Sequence, residues 1–218
     1  IKQLKDFRNE FYSLTNAMVV VAGDLSDPTL KKNLVSTIEK HKIPNGKSSF
    51  FPAFKLEHEH TFPVWAHHKR VKQATITLAF QAPDIDNEQS VGEDLALSCL
   101  GHGETSTLYQ RLVKKTSICS HISASTSYFN SGGIHFIRLV LPEDNIKKAF
   151  AEIQKCINDV LAKGFEHHEL NKIKNQYIAS KVYEYESIES LAFSYGHSFA
   201  QSGDIESEKK FIERIKNT

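Results

Sequence analysis

Residues 101–115 read GHGETSTLYQRLVKK, and the fold turns on what this stretch is. Two glycines flank a histidine, hydroxyl side chains follow, and an apolar periodicity begins at Leu108. A phosphate loop, a metal site and a helix–helix reversal all place glycine this way. A phosphate loop needs a strand that feeds glycine-rich backbone into a helix N-terminus, usually with a lysine for the phosphates. The feeder here, residues 88–100, spaces Val91, Leu95 and Leu100 as one face of a helix. No Gly-Lys-Ser/Thr follows, and Ser106 stands where a dinucleotide loop would carry its third glycine. The reversal is the simpler reading. Gly101 ends one helix, Gly103 allows the tight turn, and Thr105 or Ser106 caps a second helix running from about Ser106 to Lys115. The backbone amides of the turn leave a small-anion binding module as an alternative.

On the C-terminal side, residues 120–129 and 134–141 read as two strands joined by Asn130-Ser131-Gly132-Gly133, a hairpin signal. Residues 143–164 spell an amphipathic helix with Ile146, Phe150, Ile153, Ile157 and Val160 as its buried stripe and Gly164 as its C-cap. Another helix is expected from about Glu166 to Tyr185 or beyond, and a last one over 204–216. On the N-terminal side, 72–83 alternates Ala74, Ile76, Leu78 and Phe80 against Thr75, Thr77 and Ala79, the signature of a half-buried strand. Residues 4–13 read as a helix, and AMVVVAGD (17–24) as a short buried strand. Asp27-Pro28 starts a helix to about His41 with Leu30, Leu34 and Ile38 on one face, and Pro44-Asn45-Gly46 stops it. The polar stretch 45–62 reads as a linker. Strands and helices are partly segregated. The expected class is therefore α+β, two-layer, with helices packed on one face of a mostly antiparallel mixed sheet.

The bulk numbers narrow the function classes. The chain has 218 residues, 40% of them apolar and 24% charged, with formal net charge +1. Such a balance gives no electrostatic case for nucleic acid or an anionic membrane. No apolar run approaches the ~20 residues of a membrane span. The chain begins at Ile1 and reads as an excised segment or a processed product; its compartment stays open. Cys99, Cys119 and Cys156 have no paired spacing and read as buried free thiols. There are 11 histidines, yet neither HExxH nor its inversion HxxEH occurs, and His167-His168-Glu169 lacks a second histidine four residues away. His58 and His60 would share a face of a strand, whereas His67-His68 and His167-His168 are adjacent and point apart. Ser98, Ser106 and Ser117 sit in no nucleophile elbow. The residues describe a globular unit without a self-contained catalytic or metal site.

The run LALSCLGHGETSTLYQRLVKKTSICSHISASTSYFNSGGIHFIRLVLP (95–142) resembles the C-terminal half-domain of the pitrilysin family of zinc metallopeptidases, the group of insulin-degrading enzyme and the mitochondrial processing peptidases. VKQATITLAFQAP (71–83) is similar to the strand that opens this half. GFEHHELNKIKNQYIASKVYEYESIESLAFSYG (164–196) is similar to its helix pair. FYSLTNAMVVVAGDLSDPTLKKNLVSTIEKH (11–41) resembles the strand and helix that close the N-terminal half. The likeness covers nearly all of residues 5–216.

The resemblance implies residues 1–44 as a remnant closing the N-terminal half, 45–62 as linker and 63–218 as the C-terminal half-domain without zinc. It implies that zinc, and the glutamate that activates zinc-bound water, lie in a first half or a partner chain. This chain would then carry no catalytic or metal residue and be inactive alone. Its part would be one wall of a peptide chamber, with Gly101, His102, Gly103, Glu104 and Ser106 as candidate chamber-lining residues. The implied partners are an N-terminal catalytic half or a zinc-bearing chain, and a peptide substrate. Some second halves carry an Arg and a Tyr near the scissile bond; these positions fall on Val113 and Ser120. Their loss fits both the second half of a zinc-bearing chain and a non-catalytic family member that serves a zinc-bearing partner. In the family, a strand like AMVVVAGD also ends the second half. Residues 17–41 are accordingly expected to fill that missing place, within the chain or across a homodimer, so that deleting 1–44 exposes an edge.

Overall fold

A computed structural model describes residues 1–40, 66, 70–129 and 132–218. The chain divides into two compact units: Ile1–Ala53 with Lys181–Glu206, and Phe54–Ser180 with Ser207–Thr218. The expected linker and the helix stop at 44–46 lie outside the described residues.

The larger unit is built on three strands, β1 (Ala74–Ala82), β2 (His121–Phe129) and β3 (Gly132–Leu141). Their order is β1-β3-β2 and both pairings are antiparallel. Ala74 stands opposite Leu141, His121 opposite Val140, and Phe129 opposite Gly132. The pleat sends alternate residues to opposite faces. Ile122, Ala124, Ile137, Leu139 and Leu141 are buried on one face, with Ala74, Ile76 and Leu78 packed beside them. Helices cover that face: α3 (Gln89–Gly101), α4 (Thr107–Tyr109, continued as a π-helix over Gln110–Lys115) and α5 (Ile146–Lys163). Leu108 and Leu112 enter the core fully buried from the α4 segment. The second apolar side of α3, Val91, Leu95 and Cys99, packs with Ile173 of α6 (His167–Tyr185) and Ile215 of α8 (Ser207–Asn217). Arg214 of α8 donates to the carbonyls of Ile85 and Asn87 at 2.8 and 2.9 Å, which ties down the turn before α3. The unit is α+β, with helices on one face of an antiparallel sheet.

The smaller unit holds α1 (Lys2–Phe11), α2 (Leu30–Lys40) and α7 (Ile188–Ser202). Asp27 accepts from the Thr29 amide at 2.8 Å ahead of α2, as a capping side chain does. Leu30, Leu34 and Ile38 form its half-buried stripe. The expected strand at 17–24 is corrected. Ala17 has extended backbone, yet residues 17–22 belong to no strand. Val20 packs 3.6 Å from the position a Cβ on Gly196 of α7 would take, while Val19 and Val21 face solvent. β-Branched residues specify extended backbone, but a strand also needs a neighbour for its ladder. Among the described residues the sheet has three strands, and 17–22 is not one of them.

Two further expectations shift. Phe80 continues the alternation of β1 but is 47% exposed, although Ala82, two residues further along the same side, is buried. The buried stripe of α5 centres on Ala149, Ile153 and Cys156, with Phe150 on its flank at 43% exposure. The helix expected from about Glu166 to Tyr185 or beyond is α6, His167–Tyr185, and Ser187 then caps α7 by accepting from the Ser190 amide.

Candidate functional site

The glycine turn is a reversal between α3 and α4, and each of its residues has a distinct duty. Gly101 ends α3 against β2. A Cβ there would lie 2.6 Å from the Ala124 Cβ, so only glycine lets the helix come this close to the strand. The His102 amide closes α3 on the Ser98 carbonyl at 2.9 Å. Gly103 has φ +78, a left-handed conformation that costs glycine little. Ser106 is 4% exposed and donates its hydroxyl to the Gly103 carbonyl at 2.7 Å, while its amide bonds the same carbonyl at 3.2 Å. An amide held this way is not offered to an anion, which removes one donor from the small-anion alternative. Gln110 locks the far side by donating to the Glu104 carbonyl at 2.7 Å.

Helix α6 meets this turn. Lys172 donates to the Thr105 hydroxyl. Tyr177 donates to the Asp94 carboxylate of α3 and lies 3.2 Å from the Ser98 hydroxyl. Burial first, then the nearby Asp94 charge, pushes the Tyr177 phenol well above its ordinary range, so it stays a neutral donor. Between turn and helix is a depression of about 590 Å³ lined by His102, Gly103, Glu104, Thr105, Lys172 and Tyr177, among others. Of the five sequence candidates, His102, Gly103 and Glu104 line it. Gly101 and Ser106 face the core and shape the turn. Lys172, Gln176 and Tyr177 were not singled out by sequence. Only Tyr177 had a signal, the Asp94/Ser98 pair at i, i+4, polar positions amid an apolar helix that call for a buried polar partner without saying which.

The second notable surface is the sheet face opposite the helices. Thr75 and Thr77 of β1, Phe136, Arg138 and Val140 of β3, and the serines of β2 point to that side by the pleat. Val113 and Ser120, where the resemblance would set an Arg and a Tyr, both have partners in the fold. Val113 packs on the core, and the Ser120 hydroxyl donates to the Val140 carbonyl at 3.0 Å. Arg111 is occupied elsewhere: it pairs with Glu152 and Asp159 of α5, both at 2.9 Å.

Metal and nucleophile chemistry find no built site among the described residues. No group of three or more His, Cys, Asp or Glu side chains could hold a metal ion there. His135 bonds Glu93 and Thr126, each at 2.9 Å, on the helix-covered face. His121 projects from the other face. His167 and His168 are exposed at the start of α6. The described donors do not fit a zinc ion. Burial pushes the Cys99 and Cys119 thiols up to about 11 and also raises Cys156, leaving them inert as thiolates.

The larger unit is thus an α+β domain with one helix-covered face of an antiparallel sheet and, among the described residues, no group of three or more metal-binding side chains. The sequence profile described as the peptidase M16 inactive domain matches residues 1–177, and the chain belongs to that family. It is 23% identical over 97% of its length to an uncharacterized zinc protease of Rickettsia felis, and 22% identical over 98% to the zinc protease PqqE of Helicobacter pylori. The chain spans about half the length of these relatives, 50% and 49%. Among solved structures, a peptidase M16 inactive domain from Pseudomonas fluorescens superposes with a TM-score of 0.80 at 17% identity, covering all of this chain and 52% of that one. A protease from H. pylori superposes with a TM-score of 0.77 at 18% identity, covering all of this chain and 53% of that one. No described helix is long and apolar enough to cross a membrane.

Proposed function

We propose that this chain is the substrate-chamber half of a zinc-dependent metalloendopeptidase that cleaves peptides. The observation that carries the reading is membership of the inactive-domain family together with a match to only half of relatives named zinc proteases. In this reading the open sheet face and the depression beside the glycine turn line part of the chamber. Residues 1–44 close the preceding half, 45–62 link the two, and 63–218 form the non-zinc half. His102, Gly103 and Glu104 line the chamber wall, and Gly101 and Ser106 keep them in place. Zinc enters only as a property of the other half or of a partner chain.

A second reading is a non-catalytic family member that pairs with a zinc-bearing chain. Val113 and Ser120, in place of the Arg and Tyr that some second halves carry, fit it as well as the first reading.

The test is peptide cleavage by three preparations: the whole parent, the 218-residue chain alone, and the chain mixed with the parent's separately expressed remainder. The expected result is cleavage by the whole parent and by the mixture, abolished by a chelator and restored by zinc, with none by the chain alone. Chelator-insensitive cleavage, or cleavage by the chain alone, would overturn the proposal. An inactive whole parent that activates a separate zinc-bearing chain would decide for the second reading.

A further inference from the structure

We infer that Arg138 gives the open sheet face a preference for extended peptides with an acidic side chain flanked, two residues away on each side, by apolar ones. The inference rests on the chamber reading above and names the substrate class of that face.

Arg138 is the seventh of the ten residues of β3, the central strand, so a strand flanks it on each side. Ile137 and Leu139 on either side of it are buried among the helices. The pleat therefore turns Arg138 outward, and it is exposed. The register sets Thr77 of β1 and Ser123 of β2 directly across from it. These are short neutral side chains that do not screen a charge. None of the outward positions of the three strands carries a carboxylate, although the chain has 26 acidic residues. Among the described residues no carboxylate pairs with Arg138. The guanidinium offers a planar fork of donors that matches a carboxylate. Phe136 and Val140, both half-buried, sit two residues before and after it on the same side. An extended peptide laid along β3 repeats its side chains at the same spacing, about 6.8 Å per two residues. Its acidic residue meets Arg138 as its apolar residues meet Phe136 and Val140.

The experiment titrates the 218-residue chain with two fluorescent nine-residue peptides in low salt. One has a central Glu with Val two positions to each side; the other has Gln in place of Glu. The expected result is about fivefold tighter binding of the Glu peptide, a difference that shrinks with added salt, as a half-solvated charge pair requires. In Arg138→Gln the ratio falls to about one, and in Arg138→Lys part of it returns. An unchanged urea midpoint for both variants shows that the fold is intact. Equal affinities on the unmodified chain, or a ratio that survives Arg138→Gln, overturn the acidic preference and leave the chamber reading standing. Binding of neither peptide overturns the acidic preference, and cleavage by the whole parent decides the chamber reading separately.

Discussion

At Gly101 there is no room for a methyl group. Its added carbon would meet the Ala124 side chain at 2.6 Å, and neither residue has a rotamer to yield, so backbone must move. Overpacking of this kind costs roughly 2 kcal/mol. Gly101→Ala is expected to lower the urea midpoint accordingly, and to cost much less in an Ala124→Gly background. Equal cost in both backgrounds would show that the close approach is not what demands glycine. The sequence pointed to Gly101 and Ser106 as part of a turn, since glycine and a capping hydroxyl act through local backbone. It did not point to Tyr177, whose partner Asp94 lies 83 positions away. No local pattern carries a bond of that range.

Among the elements, those with a strong local period were legible. β1, α3 and α5 fall within a few residues of their expected bounds because alternation and helical spacing are properties of a short window. Their edges were less so. Phe80 and Phe150 obey the period yet remain exposed, since a period fixes the side and not the depth of burial. The segment 17–22 is the sharpest case. Its valines ask for a ladder that the described residues do not provide, and Val19 and Val21 are left 62% and 42% exposed. An uncovered, extended β-branched segment is an association hazard. Val19→Lys with Val21→Lys is expected to raise the soluble concentration of the chain and to change its stability by no more than about 0.5 kcal/mol. Unchanged solubility would mean that these side chains are covered in solution. A homodimer that dissociates in the same variant would show what covers them.

At the scale of the molecule, pH reads out the packing. Cys99 and Cys119 titrate near 9 when exposed and about 11 in the fold. A group whose folded pKa is raised adds its full stabilisation below the unfolded value and loses it as pH rises through the folded value. The stability of the chain is therefore expected to fall between about pH 9 and pH 11. Replacing both cysteines by alanine should flatten that part of the profile in a series of urea melts; an identical slope would place its origin in other groups. By itself the sequence determined the class of fold, the order of most elements, the glycine reversal and the resemblance to a peptidase half without its zinc motif. Each of these rests on neighbours in the chain, on periodicity or on motif spacing. Only the tertiary structure decided which face of the sheet stays open, that α6 meets the glycine turn, and that residues 17–22 make no strand. Those outcomes depend on which surfaces compete successfully for burial, and that competition is among residues far apart in sequence.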